Sequence, residues 1–468
     1  MRVLSSETPE KIGEEVELFG WVDARRDHGK LIFIDLRDRQ GTTQLVFNAK
    51  NEDVYKVAET LRPEWVVRVK GKVGERPETM RNPDLATGSV EISVDELDVL
   101  AEAETPPFEI GGDGYEINEE IRMKYRYLDL RRKRMRANMV ARNNIIKFIR
   151  KFFEDRDFVE IETPYISKST PEGARDYLVP SRQQQGKFYA LPQSPQQYKQ
   201  LLMVGGMERY FQIVRCFRDE DTRGDRQPEF TQLDVEMSFT SEEEILGLVE
   251  EVLLGLFKEL YPTRKVTLQN GKIPRMTYEE AMKEYGTDRP DVRKNKEDED
   301  ELAPVFVVDF PMFEARDDGS WGAAHHPFTM PKVKDSKELK DAFSKDPASI
   351  GAHQYDVVLN GWEIFGGSIR NHDGDLLRTV FEVMGHKKED IERQFGHIMD
   401  AFKYGVPPHG GIASGLDRLI AILQKEPNIR EVIAFPKTGD GRDLMMDAPS
   451  EVDSKQLDEL GLALKKKK

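Results

Sequence analysis

The chain has 468 residues, with 70 Lys and Arg against 86 Asp and Glu, a net charge of −16. That length suggests two or three domains, and the acidic balance argues against a protein that coats nucleic acid without specificity. No stretch approaches the ~18–20 consecutive apolar residues of a membrane helix, and the single cysteine, Cys216, excludes an internal disulfide and a cysteine-clustered zinc site. The first twenty residues lack a basic start followed by an apolar core, so a cytoplasmic protein with no membrane association is expected.

In chain order, the runs VELFGWV, LIFIDLRD, TQLVF, WVVRVKGKV and VEISVDELDVL alternate or are apolar, and turn-forming DHGK, RQGT and NPDLATGS separate them. Five strands at this spacing fit a small barrel of the OB type, whose open face binds single-stranded nucleic acid, with another small β module as the alternative. The barrel is assigned to residues 1–104, and AETPPFEI opens a hinge over 105–130. A second domain of mixed helices and strands then spans 131–449, with 450–468 as a tail.

Between Arg122 and Arg156 there are thirteen Lys or Arg against three acids, which reads as a solvated helix face or as a local basic surface. Within it, Ile145, Ile149, Phe152 and Phe153 fall on one helical face, and DFVEIETPYI follows as a strand halted by Pro164. Residues 287–304 carry seven acids and four bases with almost nothing to bury, which predicts a flexible acidic connector.

VRCFRDEDTRGDRQPEFTQLDVEM reads as an antiparallel hairpin whose charged loop projects Arg218, Glu220, Arg226, Phe230 and Asp234 into a cleft. Guanidinium groups can grip phosphate or carboxylate bidentately, and an aromatic ring can stack on a base. In PHGGIASGLDRLIAIL, small residues at Gly411, Ala413 and Gly415 let another element approach one strand face, and Arg418 follows at the start of an apolar helix. That turn is neither a Walker loop nor a GxGxxG, and tight packing alone would account for it.

DFVEIETPYI, FRDED with RQPEF, and GIASGLDRL occur in the order and spacing of the three signature motifs of class II aminoacyl-tRNA synthetases. Together with TPEGARDY, QSPQQYKQLLM, AAHHPFTMP and NGWEIFGGSIR they make the chain resemble the bacterial-type aspartyl-tRNA synthetases from about Gly20 to Pro449. The resemblance implies an α+β protein: an anticodon-binding OB barrel, then a catalytic antiparallel sheet flanked by helices, in a homodimer joined through the motif containing Pro164. It also implies ATP-dependent activation of L-aspartate to an adenylate, with Mg2+, and transfer to the 3′ end of the aspartate tRNA, with the asparagine tRNA as a further acceptor.

Carried over residue by residue, Arg218 bridges the aspartate carboxylate and the α-phosphate, and Glu220 and Arg418 complete the catalytic set. Asp219, Glu220, Gln227, Phe230, Glu363, Gly415, Leu416, Asp417 and Arg418 are expected at ATP, and Asp356 with Glu363 at the metal. Arg370, Lys199 and His325 or His326 are expected at the aspartate side chain, and Glu172, Asp234 and Gln196 around its ammonium. Arg26, His28, Phe33 and Gln44 match anticodon positions, although Phe33 reads equally well as barrel core. His28 resembles enzymes that charge both tRNAs. The domain usually inserted between the second and third motifs is expected to be missing. Enzymes for asparagine or lysine, and a catalytically silent relative that only binds tRNA, are the alternatives.

Overall fold

The five alternating runs fold as β1 (Glu15–His28), β2 (Leu31–Arg37), β3 (Thr42–Asn48), β4 (Val66–Glu75) and β5 (Val90–Ala101), with helix α1 (Glu52–Thr60) between β3 and β4. Antiparallel pairing and one parallel contact, β3 with β5, close them into a barrel in the order β1-β2-β3-β5-β4. Period-two patterning places Leu18, Ile32, Ile34, Leu45, Val69 and Ile92 inside, where each contributes roughly 1.5–3 kcal/mol of burial. This computed structural model describes residues 2–169, 173–316 and 318–465. The barrel belongs to the first of two compact units, Met1–Gly112 and Asp113–Lys468.

The second unit is built on the long helix α2 (Lys133–Glu154) and a mixed sheet. Its strands are β6 (Val159–Glu160), β7 (Arg209–Phe217), β8 (Glu229–Ser238), β9 (Arg275–Thr277), β10 (Pro304–Val308), β11 (Gln354–Leu359), β12 (Trp362–Ile369) and β13 (His409–Gly415). They run in the order β9-β10-β11-β12-β13-β8-β7-β6, antiparallel except at the two edges. Helices α3 (Gln196–Val204), α4 (Glu242–Leu260) and α5 (Leu416–Leu423) accompany it. Ile145, Ile149, Phe152 and Phe153 of α2 enter the core as their spacing predicts, with Phe153 stacked on Phe211 of β7.

Three expectations change. The strand predicted over DFVEIETPYI is only two residues long: Ile161 N–H still donates to Phe211 O, and regular pairing stops short of Pro164. The connector is irregular only to Asp300, because Glu301–Leu302 forms a buried strand beside Lys265–Val266. The basic segment is a solvated face only in part: Lys124, Lys133, Lys147, Arg150 and Lys151 are exposed, but other bases turn inward. Arg122, Arg126 and Arg132 are almost wholly buried, and Asp129 and Glu431 pair with them. Arg134 bridges Glu426 and Glu431. Burial pushes Glu431 up, but Arg122 and Arg134 outweigh it and bring its carboxyl down to about 2. Among the described residues, no helix is long and apolar enough to cross a membrane.

Candidate active site

The predicted hairpin is β7–β8, paired antiparallel with Phe217 opposite Glu229. Strand alternation puts Phe230, Gln232, Asp234 and Glu236 on one face of β8. Opposite the last three, on β13, stand Gly415, Ala413 and Gly411. The small residues of β13 therefore clear a path for the long polar side chains of β8. A methyl group on Gly411 would lie 2.0 Å from Glu236 Oε2 and 2.1 Å from Val235 O. We expect Gly411→Ala to cost about 3 kcal/mol through overpacking, read as a lower urea midpoint; an unchanged midpoint would show that the close approach is unimportant.

Above this face lies a cavity of about 340 Å³. The structure brings most of the sequence-derived set into its lining: Gln196, Lys199, Arg218, Glu220, Gln227, Phe230, Asp234, His325, His326, Glu363, Arg370, Gly415, Asp417 and Arg418.

One end is a buried charge network. Lys199 Nζ donates to Asp234 Oδ1 at 2.6 Å and lies 3.3 Å from Glu236 Oε2. Arg370 grips Glu236 with Nε at 2.9 Å and Nη2 at 3.1 Å, and its Nη1 donates to Ser368 Oγ at 2.7 Å. Burial works against the Glu236 carboxylate, yet Arg370 and Lys199 outweigh it and hold the group below the usual range. Among the described residues, three of the five guanidinium donors of Arg370 are engaged, which leaves one N–H on each terminal nitrogen. Among the described residues Asp234 Oδ2 has no hydrogen-bond partner.

His325 and His326 are neutral near pH 7. Desolvation within the cavity, assisted by Arg370, Arg218 and Lys199, lowers His325 to about 4 even though part of its ring is open to solvent, and burial with the neighbouring His325 holds His326 well below its ordinary value. Phe328 N–H donates to His326 Nδ1, which assigns the proton to Nε2, a buried donor with no partner among the described residues.

The other end is a slot. The Arg218 guanidinium carbon sits 5.1 Å from the Phe230 ring centre, and its Nε donates to Gln193 O at 3.3 Å. Arg418 ties Asp225 to the Glu363 carbonyl, with Nε and Nη2 on Asp225 and Nη1 on Glu363 O at 3.1 Å. Gln227 exchanges two hydrogen bonds with the Lys437 backbone, and Glu220 lies 3.6 Å from Arg226.

Asp356 on β11 is 6% exposed and lies beneath Gly366 of β12, its cross-strand neighbour. A methyl group on Gly366 would meet Asp356 Oδ1 at 3.1 Å and Glu363 Oε1 at 3.3 Å, so both carboxylates converge on one point. Burial, then the charges of Glu363 and Asp288, push Asp356 well above the ordinary carboxylate range. Its Oδ1 has no partner among the described residues.

Other assignments move. Asp219 lines a separate cavity beside Tyr177 and Lys437, with its N–H on Arg175 O. The Leu416 side chain is fully buried in the core, because the turn from strand to helix rotates it away from the cavity. Both Asp417 oxygens are taken, one by Arg142 and one by Thr231 N–H. Glu172 lies outside the described residues. Ser194, Gln232 and Glu236 were not singled out from the sequence, and the first two line the cavity. Glu236 could have been found from its place two residues after Asp234 on the same strand face.

In the N-terminal unit the even choice at Phe33 resolves: Ile32 and Ile34 point inward, and Phe33 lies half-exposed on the outer face. His28 meets it edge-on at 5.6 Å. Arg26, directly opposite Phe33, pairs with Asp35, and Gln44 stands opposite Asp35 and donates to Glu91. Arg26, Phe33 and Gln44 thus share one outer face.

Residues 118–439 match the model of the class II tRNA synthetases (D, K and N), and residues 16–100 match the OB-fold nucleic acid binding domain. The chain belongs to the class II tRNA synthetases. Among relatives of this synthetase, the aspartate-tRNA(Asp/Asn) ligase of Rubrobacter xylanophilus is 42% identical, covering 97% of this chain and 95% of the relative. An aspartate-tRNA ligase of Staphylococcus aureus is also 42% identical, covering 97% of each. The alignment with the first runs over 579 positions, more than a hundred beyond the 468 residues present in this synthetase. The asparaginyl-tRNA synthetase of Pyrococcus horikoshii, solved with asparaginyl-adenylate, shares the fold with a TM-score of 0.73 at 24% identity, over 94% of this chain and 98% of that one.

Proposed function

We propose that this class II synthetase activates L-aspartate with ATP and transfers it to the 3′ end of its tRNA. The observation that carries the reading is a single cavity that joins a buried Lys199–Arg370 end to the Arg218–Phe230–Arg418 slot. In the first end, the two remaining N–H groups of Arg370 suit the β-carboxylate, with Lys199 and the His326 Nε2–H beside it. A neutral asparagine amide would leave those buried cations poorly paired, so charge provides the discrimination. Asp234 Oδ2 suits the substrate ammonium, next to Gln196. The α-carboxylate then faces Arg218, which can also receive the α-phosphate, while adenine lies on Phe230 with Glu220, Gln227 and Arg418 around the nucleotide.

Asp356 and Glu363 fit Mg2+. Both offer hard oxygens, one of them buried and without a partner, and among the described residues no group of three or more His, Cys, Asp or Glu forms a fuller cage. That suits an ion that takes one or two carboxylates and completes its shell with water and phosphate. When bound, it neutralises charge on the phosphates and leaving pyrophosphate. The chain's own contribution is positioning and fixed positive charge, which adenylation and acyl transfer both use.

Arg26, Phe33 and Gln44 form the anticodon surface: a cation, an aromatic platform and an amide for a base edge. The domain normally inserted between the second and third motifs is missing, which the length of the alignment with the Rubrobacter relative supports. The protein is a cytoplasmic homodimer joined around Pro164, where Val159, Tyr165 and Ile166 are exposed.

Parallel charging of purified aspartate and asparagine tRNAs tests the reading. Aspartate should be esterified to the aspartate tRNA only with ATP and Mg2+, and asparagine and lysine should not be. His28 favours charging of the asparagine tRNA with aspartate as well. Retention of tRNA binding with no charging of either tRNA would leave the silent binder as the correct account.

A further inference from the structure

Phe230 and Arg418 lie just beyond the end of a ladder. Main-chain pairing of β8 with β13 runs from Ser238 opposite His409 to Gln232 opposite Gly415. Past that pair no β8–β13 ladder bond relates the strand carrying Phe230 to the helix carrying Arg418. A side-chain bridge continues the connection. Thr231 N–H donates to Asp417 Oδ2 at 2.9 Å, and Arg142 of α2 donates from Nη1 to Asp417 Oδ1 and from Nη2 to Thr231 Oγ1 at 2.9 Å. The same Nη1 reaches Val432 O at 3.3 Å, and Arg215 Nη1 donates to Thr231 Oγ1 at 3.1 Å. Asp417 and Thr231 are buried, and the Arg142 side chain is 17% exposed.

Thr231 follows Phe230 and points to the opposite face of β8, toward α2. Asp417 precedes Arg418 in the first turn of α5. The bridge therefore acts one residue away from each wall of the nucleotide slot, with Asp417 at the cavity lining and Thr231 and Arg142 behind it.

We propose that Arg142 is a positioning residue for ATP: by tying Thr231 to Asp417 it fixes the separation of Phe230 and Arg418 while touching no substrate itself. The proposal rests on the nucleotide reading of the slot given above. An arginine matches the spread of these acceptors, since its planar fork presents Nη1 to Asp417 and Val432 and Nη2 to Thr231, whereas a lysine must reach all of them from one nitrogen.

The test is aspartate-dependent exchange of pyrophosphate into ATP by the full-length protein and its R142A, R142K and T231V variants. In R142A the KM for ATP should rise about ten- to a hundredfold, as expected for loss of ångström-scale positioning, while the KM for aspartate stays near the parent value. R142K should fall between parent and R142A. T231V, which keeps the β-branched shape, should shift ATP in the same direction by less, and it carries the test if R142A does not fold. An unchanged ATP KM in folded R142A or T231V would overturn the proposal, as would parallel increases for ATP and aspartate, the mark of general loosening. A parent protein without aspartate-dependent exchange would refute the functional reading and the tie with it; parent exchange with normal ATP use by R142A refutes the tie alone.

Discussion

Arg218→Ala should abolish aspartate-dependent pyrophosphate exchange while leaving tRNA affinity near that of the parent. Arg218 stands just beyond the end of β7, with its guanidinium over Phe230 and, among the described residues, one guanidinium hydrogen bond, to the Gln193 carbonyl. The fork is thus oriented from one side and keeps further donors for the groups that react. In the adenylation transition state, negative charge builds on the α-phosphate as the carboxylate oxygen adds and pyrophosphate departs. A fixed cation at that point requires no reorganisation during the reaction. Loss of one such preorganised donor costs about a hundred- to a thousandfold in turnover, and Arg218 is expected to serve two oxygens at once, so exchange should drop below detection. Filter binding should find tRNA affinity unchanged, because anticodon contacts are assigned to the N-terminal barrel. Equal exchange rates in variant and parent would remove Arg218 from the chemistry.

How much of this was legible in the sequence depends on the range of the interactions. The barrel was readable because alternation is local: all five runs became β1 to β5, and Phe33, undecidable by hydrophobicity alone, is placed by register on the outer face with Arg26 and Gln44. The cavity was readable where motifs carry functional atoms on adjacent residues, as in the β7–β8 hairpin. The basic segment was not. Arg122 and Arg134 pair with Glu426 and Glu431, some three hundred residues later in the chain, and nothing in the composition of residues 122–156 reveals those partners.

Leu416 and Glu236 lie where their local sequence does not point, in opposite directions. Motif matching carried Leu416 toward the nucleotide together with its neighbours, but in the first turn of α5 its side chain rotates into the core. Glu236 looks like an ordinary solvent-facing strand carboxylate. It is buried because Gly411 removes the side chain opposite and two cations compensate its charge, conditions set by three distant segments.

That same buried carboxylate governs what Arg370→Ala should do. Removing the guanidinium deletes the bidentate site expected for the substrate β-carboxylate and leaves Glu236 with Lys199 as its remaining cationic partner. Truncating one member of a buried, hydrogen-bonded charge pair costs about 2–5 kcal/mol, so the KM for aspartate should rise from about thirtyfold to several thousandfold. The KM for ATP should stay close to the parent value, since the slot is held by separate residues. Discrimination should fall with affinity, because the neutral asparagine side chain gains less from Arg370 than a carboxylate does and therefore loses less. Glu236→Gln makes the contrast informative: it keeps the shape and leaves Arg370 present, but weakens the grip that aims it. Aspartate use should fall in this variant too, though by less than in Arg370→Ala. Calorimetry with aspartate and asparagine, on variants shown to be folded by circular dichroism, checks both. A retained preference for aspartate in Arg370→Ala would mean that some other cation reads the side chain.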